Sequence, residues 1–140
     1  MDILSKQKRS WNMSRIRGKD TRPEVHVRSL LHRLGYRFRL HRKDLPGKPD
    51  IVLPKYRTAI FVHGCFWHRH EGCRKAYNPK SRRDFWEEKF RQNIARDKKN
   101  INLLEENDWK VFIIWECEIN DESRLSKKLV KEIESGILNT

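Results

Sequence analysis

An α/β domain with a mixed sheet flanked by helices is the fold the sequence predicts, on three observations. The hydrophobic period changes from that of a helix to that of a strand near residue 35. Three short apolar runs, residues 51–53, 58–62 and 109–115, read as strands. A long helical pattern joins the last two, which implies a parallel crossover within one sheet. The expected order is α-β-β-β-α-β-α in a single domain of 140 residues, since no repeat, low-complexity tract or Gly/Ser linker divides the chain.

Each element has a local cause. Asp20 or Thr21 can cap the first helix, Pro23 and Glu24 suit its first turn, and Gly35 suits its end. Val27, Leu30, Leu31 and Leu34 form its apolar stripe. Tyr36, Phe38 and Leu40 then alternate with Arg37, Arg39 and His41, a half-buried strand with a basic outer face. The turn Leu45-Pro46-Gly47-Lys48-Pro49 leads to a strand from Asp50 to Leu53, and Thr58–Val62 is apolar enough to be central. Ser81 with Asp84 resembles a capping box that opens a helix to about Asn107, its inward face made by Trp86, Phe90, Ile94, Ile101 and Leu104. Trp109 to Trp115 reads as a buried strand and Leu125 to Ile137 as the closing helix.

Charge narrows the class of partner. Lys and Arg number 32 against 19 Asp and Glu, a formal net charge of +13, and residues 1–50 alone hold 14 basic and 5 acidic side chains. Such an excess favours a polyanion, while five Trp and six Phe argue for a folded protein rather than a basic tail. The segment before residue 20, with Trp11, Met13 and Ile16 among basic residues, is either an arm lying on that partner or a frayed terminus. No stretch is apolar enough for a membrane span, and Met1–Lys6 has no signal core, so a cytoplasmic protein without membrane attachment is expected. Nothing points to a stable oligomer; a monomer is the expectation.

Two constellations carry chemistry. Three of the six His and two of the three Cys fall in His63–Cys73. Cys65, His70 and Cys73 have the spacing of zinc ligands, and Cys117 supplies a fourth. If the strands before Cys65 and Cys117 are parallel, their ends share one sheet edge and both thiols reach one ion. The alternative is three unrelated free thiols. The second constellation is Asp50 at a strand start, with His63 and His68 after the next strand. A carboxylate there suits Mg²⁺, and a neutral imidazole nearby can accept a proton from water, although Asp after Gly-Lys-Pro is more often a turn residue than a catalyst. Asp97 lies on the inward stripe of the long helix and needs a partner, either a structural donor or a catalytic His. Phe66 and Trp67, in a loop between metal ligands, and Trp86 are candidates for insertion between base pairs.

These residues together resemble the very-short-patch-repair (Vsr) endonucleases. The likeness runs through Arg9-Ser10, Asn12-Met13, Asp20-Thr21, Glu24, Leu45–Asp50, Phe61, His63–His68, Phe85-Trp86, Asn93, Arg96-Asp97 and Trp115-Glu116-Cys117. The resemblance implies a restriction-endonuclease-like fold and a nick on the 5′ side of the thymine in a T·G mismatch, the product of 5-methylcytosine deamination. It implies Mg²⁺ held by Asp50 and the Val62 carbonyl, and His68 as general base supported by His63, Glu24 and Asp97. Phe66, Trp67 and Trp86 would wedge beside the mismatch from the major groove, and Met13 and Ile16 would enter from the minor groove. Cys65, His70, Cys73 and Cys117 would hold structural Zn²⁺, and other DNA repair proteins would be partners. The strand Ile60-Phe61-Val62 lacks the acidic residue and Lys of the broader nuclease superfamily, and His68 with a backbone carbonyl takes their place in the family it resembles. Two other readings stay open: a related restriction-like nuclease of broader specificity, and a non-catalytic zinc-containing DNA-binding module.

Overall fold

The computed structural model describes residues 21–135; the expected arm with Met13 and Ile16 lies outside the described residues. Helix α1 (Arg22–Arg33) is followed by β1 (Arg39–Leu40), β2 (Ile51–Leu53), β3 (Thr58–His63), the long α2 (Arg83–Glu106), β4 (Lys110–Trp115) and α3 (Glu122–Glu134). The sheet order is β1-β2-β3-β4, antiparallel as far as β3 and parallel between β3 and β4. The expected crossover is therefore present, and α2 makes it. The mixed α/β architecture stands as predicted.

The strands bury two faces by parity, as a pleated sheet must. Ile51, Leu53, Ile60, Phe112 and Ile114 face α1 and α3 and join Val27, Leu30, Leu31, Leu125, Leu129 and Ile133. Val52, Ala59 and Phe61 face the other way, against Leu104 and Trp109. β3 is covered on both sides, which explains its unbroken apolar sequence.

Thr21 caps α1, its hydroxyl accepting the Glu24 N–H at 3.4 Å, and Gly35 follows the helix with φ +90°. Other details differ from the sequence reading. Leu34 falls past the helix end and is exposed, so the stripe stops at Leu31. β1 has only two residues; Tyr36 and Phe38 still pack against the core, but Leu40 is exposed. Ser81 does not cap α2: Arg82 takes the cap position in a left-handed conformation with no side-chain cap bond. The stripe on α2 is also corrected. Ile94 is exposed and Asn93 is buried, because a polar contact rather than an apolar one holds the middle of that helix. α3 begins earlier than expected, where the Asp121 carboxylate accepts the Arg124 N–H at 3.1 Å. Trp115 is not a core residue but a half-buried one at the sheet edge.

Candidate active site

Because β3 and β4 run parallel, His63 and Trp115 are register partners at one edge of the sheet. Cys65 and Cys117 each follow that edge by two residues. The loop after β3 folds back on itself, His68 N–H donating to the Gly64 carbonyl at 3.1 Å and His70 N–H to that of Cys65 at 3.0 Å. The Cys65 N–H donates to Glu116 Oε1 at 3.0 Å, tying this loop to the end of β4.

The result is a tetrad. One ligand atom from each of Cys65, His70, Cys73 and Cys117 lies within 4.8 Å of the other three. His70 Nδ1 is 3.5 Å from Cys65 Sγ and 3.4 Å from Cys117 Sγ. A tetrahedral zinc site with its usual bond lengths separates N and S donors by about 3.6 Å, so the donor set and spacing fit that ion. Burial pushes the Cys65 thiol up to about 12, whereas the Lys75 N–H holds Cys73 below the usual thiol range. The His70 ring stacks on Trp115 at 4.2 Å, and Trp115 meets His63 edge-on at 5.3 Å. One indole thus separates the tetrad from the histidines of the neighbouring cleft.

That cleft has a volume of about 1560 Å³ and runs between the start of α1, the 43–50 turn, the end of β3 and the inner side of α2. Its lining brings together Glu24, Asp50, Val62, His63, His68 and Asp97, with Phe66 and Trp67 at the same wall. Arg22, Lys43, Lys48, Lys89 and Arg96 line it too. Gly47 admits the turn: its φ is +74°, and a Cβ would stand 2.9 Å from the Asn100 side chain on α2.

Asp97 finds its partner here. His68 Nδ1 lies 2.6 Å from Asp97 Oδ2. An ionised carboxylate can only accept, so Nδ1 carries the proton, and in the neutral ring the lone pair is on Nε2. The His63 ring lies flat against His68, with centroids 3.7 Å apart and 7° between planes. Burial, helped by the neighbouring His68 and opposed by Asp97, drives His63 down to about 3, so it is neutral at physiological pH. Its Nδ1 is buried without a hydrogen-bond partner.

Asp50 stands just before β2, where the β2–β3 ladder ends, and its Oδ2 accepts the Val62 N–H at 2.7 Å. A strand residue presents its N–H and C=O to the same edge, so the Val62 carbonyl opens toward Asp50 as well. Burial and the nearby Glu24 carboxylate, opposed by the Val62 N–H, push Asp50 up to about 7. A buried and a half-buried carboxylate side by side, with a carbonyl, are the oxygen donors a hard divalent cation takes, so the residues fit Mg²⁺.

His41 was missed. Alternation placed it on the outer face with Arg37 and Arg39, but its φ of 47° swings it back beside Glu24, Nε2 to Oε2 at 3.4 Å. Only the helical Glu24 and the strand-start Asp50, both flagged already, could have drawn attention to a histidine ending the intervening strand.

The aromatic residues form one patch. Phe66 packs edge-on against Trp67, Trp86 and Phe90, with centroids 5.2–5.4 Å apart, and Trp67 lies 5.7 Å from Trp86. Arg69 holds the loop beneath, its guanidinium 4.0 Å over Phe90 and donating to the carbonyls of Phe66, Ala76 and Tyr77. The buried Asn93 donates to the Trp67 carbonyl at 3.0 Å.

Residues 1–75 match the family model described as DNA mismatch endonuclease Vsr. The chain belongs to the Vsr family. It is 53% identical over 128 residues to the type II nicking enzyme V.XorIIP of Xanthomonas oryzae pv. oryzae, covering 91% of this chain and 93% of that protein. It is 46% identical over 140 residues to V.NmeAIP of Neisseria meningitidis, another type II nicking enzyme, covering 97% and 99%. With the DNA mismatch endonuclease Vsr of Escherichia coli it shares 41% over 131 residues, 94% of this chain and 83% of that one. The family model ends at residue 75, so Trp86, Asp97 and Cys117 fall under the pairwise likenesses rather than under the model. Among the described residues no helix is long and apolar enough to cross a membrane.

Proposed function

We propose that the protein is a Mg²⁺-dependent DNA mismatch endonuclease that nicks one strand on the 5′ side of the thymine in a T·G pair. The observation that carries the reading is one basic cleft holding both Asp50 and the His68–Asp97 pair, with an aromatic patch on its wall. Family membership and the names of the relatives support the reaction class.

Asp50 and the Val62 carbonyl would hold the ion, which when bound supplies positive charge beside the attacked phosphate. Glu24 adds a second carboxylate beside Asp50. His68 Nε2 takes the proton of an attacking water, and Asp97 fixes its tautomer and stabilises the imidazolium that results. His63, neutral and stacked, keeps the other face of that ring dry. Arg22, Lys43, Lys48, Lys89 and Arg96 meet the phosphates, contacts that position the duplex without reading its sequence. Phe66, Trp67 and Trp86 enter the stack beside the mismatch from the major groove, and the arm with Met13 and Ile16 approaches from the minor groove. A weakly paired T·G step opens at lower cost than a T·A step, which gives the wedge its selectivity. Zn²⁺ on Cys65, His70, Cys73 and Cys117 would fasten the wedge loop to the end of β4. The restriction-endonuclease-like fold belongs to the same reading, as do a monomer, a cytoplasmic location and contacts with other repair proteins.

The test is incubation of a T·G duplex and its T·A control with Mg²⁺, for the natural chain, Asp50→Ala and His68→Ala. The expected result is a single nick in the T·G duplex, lost in both variants. Equal cutting of both duplexes would indicate a nuclease of broader specificity; mismatch binding with no nick would indicate a non-catalytic module. Metal analysis should return about one zinc per chain, and Cys117→Ser should lower both zinc retention and stability.

A further inference from the structure

The third side chain beside Asp50 changes the chemistry of the metal site. β1 and β2 pair Leu40 with Ile51, so the next residues outward, His41 and Asp50, face one another where the ladder ends. The His41 N–H still donates to the Asp50 carbonyl at 3.2 Å. Immediately there His41 adopts φ 47°, a left-handed conformation that L-residues rarely take and that recurs at functional sites. The turn carries its imidazole inward over Glu24 instead of out with Arg37 and Arg39. One donor atom from each of Glu24, His41 and Asp50 lies within 4.8 Å of the other two. The Glu24 side chain is only 7% exposed and that of His41 20%, so the group is held inside the protein.

His41 Nε2 and Glu24 Oε2 lie within ion-pair distance, and the same two atoms are placed to share a cation. Their closest atoms are 3.4 Å apart, longer than a charge-assisted hydrogen bond of about 2.7–2.9 Å. Octahedral donors around one cation at about 2.1 Å sit about 3.0 Å apart when adjacent and about 4.2 Å when opposite. The observed 3.4 Å lies between these two metal-sharing distances, so both atoms can reach one cation with small side-chain adjustments.

We infer that His41 is a nitrogen ligand of the active-site cation, which makes this a mixed oxygen–nitrogen site formed by Glu24, His41 and Asp50 together. The inference rests on the proposal that Asp50 binds the divalent ion. Imidazole adds little for Mg²⁺ or Mn²⁺ but much for Co²⁺ and Zn²⁺. The cleft therefore binds these borderline cations more tightly than an oxygen-only site would.

The test uses Mn²⁺ as probe on the full chain with its zinc retained. Pulsed electron paramagnetic resonance should detect ¹⁴N coupling to bound Mn²⁺ that disappears in His41→Gln and survives in His63→Gln and His68→Gln. Co²⁺ affinity should fall at least about tenfold in His41→Gln, with Mg²⁺ affinity changed less than about twofold. Where His41→Gln does not fold, [¹⁵N]histidine in the unmutated chain should convert the coupling to ¹⁵N, and survival of coupling in the His63 and His68 variants then assigns it to His41. Bound Mn²⁺ with no nitrogen coupling, or coupling that persists in His41→Gln, overturns the inference and leaves the oxygen-only site standing. Mn²⁺ binding unchanged by Asp50→Asn would instead remove the reading on which it rests.

Discussion

The two faces of the sheet are built on different terms. Toward α1 and α3, eleven buried apolar side chains close a continuous core from five elements. Toward α2, among the described residues, only Val52, Ala59, Phe61, Leu104 and Trp109 are buried together, and the helix meets the strands through its C-terminal part. The N-terminal part of α2 instead carries Trp86 and Phe90 into the aromatic patch and Asn93 and Asp97 onto the cleft wall. Polar groups and a neutral buried histidine collect on that side, and the left-handed His41 stands beside two of them, Glu24 and Asp50. One face supplies stability with ordinary packing; the other uses it to hold side chains in costly positions. Burying Glu24 and His63 and half-burying Asp50 is affordable only because the opposite core is complete.

The largest predicted effects separate these roles. Asp97→Asn should leave the fold intact and lower the nicking rate about 10²–10⁴-fold, since an amide can donate to Nδ1 and so stabilise the wrong tautomer. Single-turnover kinetics with a T·G duplex would measure it; a rate within about threefold of the natural chain would mean that Asp97 is only structural. Leu129→Ala should do the converse. Leu129 is fully buried in the larger core, and truncation should cost about 2–5 kcal/mol in denaturant unfolding while the rate per folded molecule stays the same. A rate loss comparable to that of Asp97→Asn would break the division between the faces.

Legibility in the sequence follows the same division. Residues of the larger core announce themselves by period: Val27, Leu30 and Leu31 at helical spacing, Ile51 and Leu53 at strand spacing, and all are buried. The Cys65, His70, Cys73 and Cys117 group was also legible, because the parallel crossover could be inferred and it brings distant cysteines to one edge. Period failed where polar contacts override it. Ile94 fits the stripe yet is exposed, while Asn93, one residue away, is buried because it holds the Trp67 carbonyl. His41 was illegible for a related reason: alternation assumes extended backbone, and the left-handed conformation of His41 itself turns its side chain inward beside Glu24. Asp97 shows the intermediate case. Its inward position followed from helical geometry, but the identity of His68 as its partner needed the fold.

Asn93 offers a smaller effect on the functional face. Asn93→Ala removes the donor to the Trp67 carbonyl and should cost about 1–3 kcal/mol of stability. Because the same bond anchors the wall bearing Trp67 and Trp86, the ratio of T·G to T·A binding should fall by more than the affinity for the T·A duplex. Fluorescence anisotropy with both duplexes reads the two quantities separately. A proportional loss on both would reduce Asn93 to a packing residue.

The smallest effect belongs to the rim of the larger core, where Tyr36 packs and its hydroxyl donates to Glu134 Oε1 at 3.0 Å. Burial first, and then the bond to Glu134 and that residue's charge, raise the phenol from 10.0 to about 12. The folded state thus holds this proton more tightly than the unfolded chain does. Its contribution is complete below about pH 10 and is lost as pH rises through about 12. The group is near the surface, so solvent screening keeps the gain below about 1 kcal/mol. Tyr36→Phe should therefore lower stability slightly at neutral pH and flatten the alkaline limb of the unfolding curve, with no change in nicking rate. A rate change in this variant would show that the two faces are coupled through the sheet, since Tyr36 lines no part of the cleft.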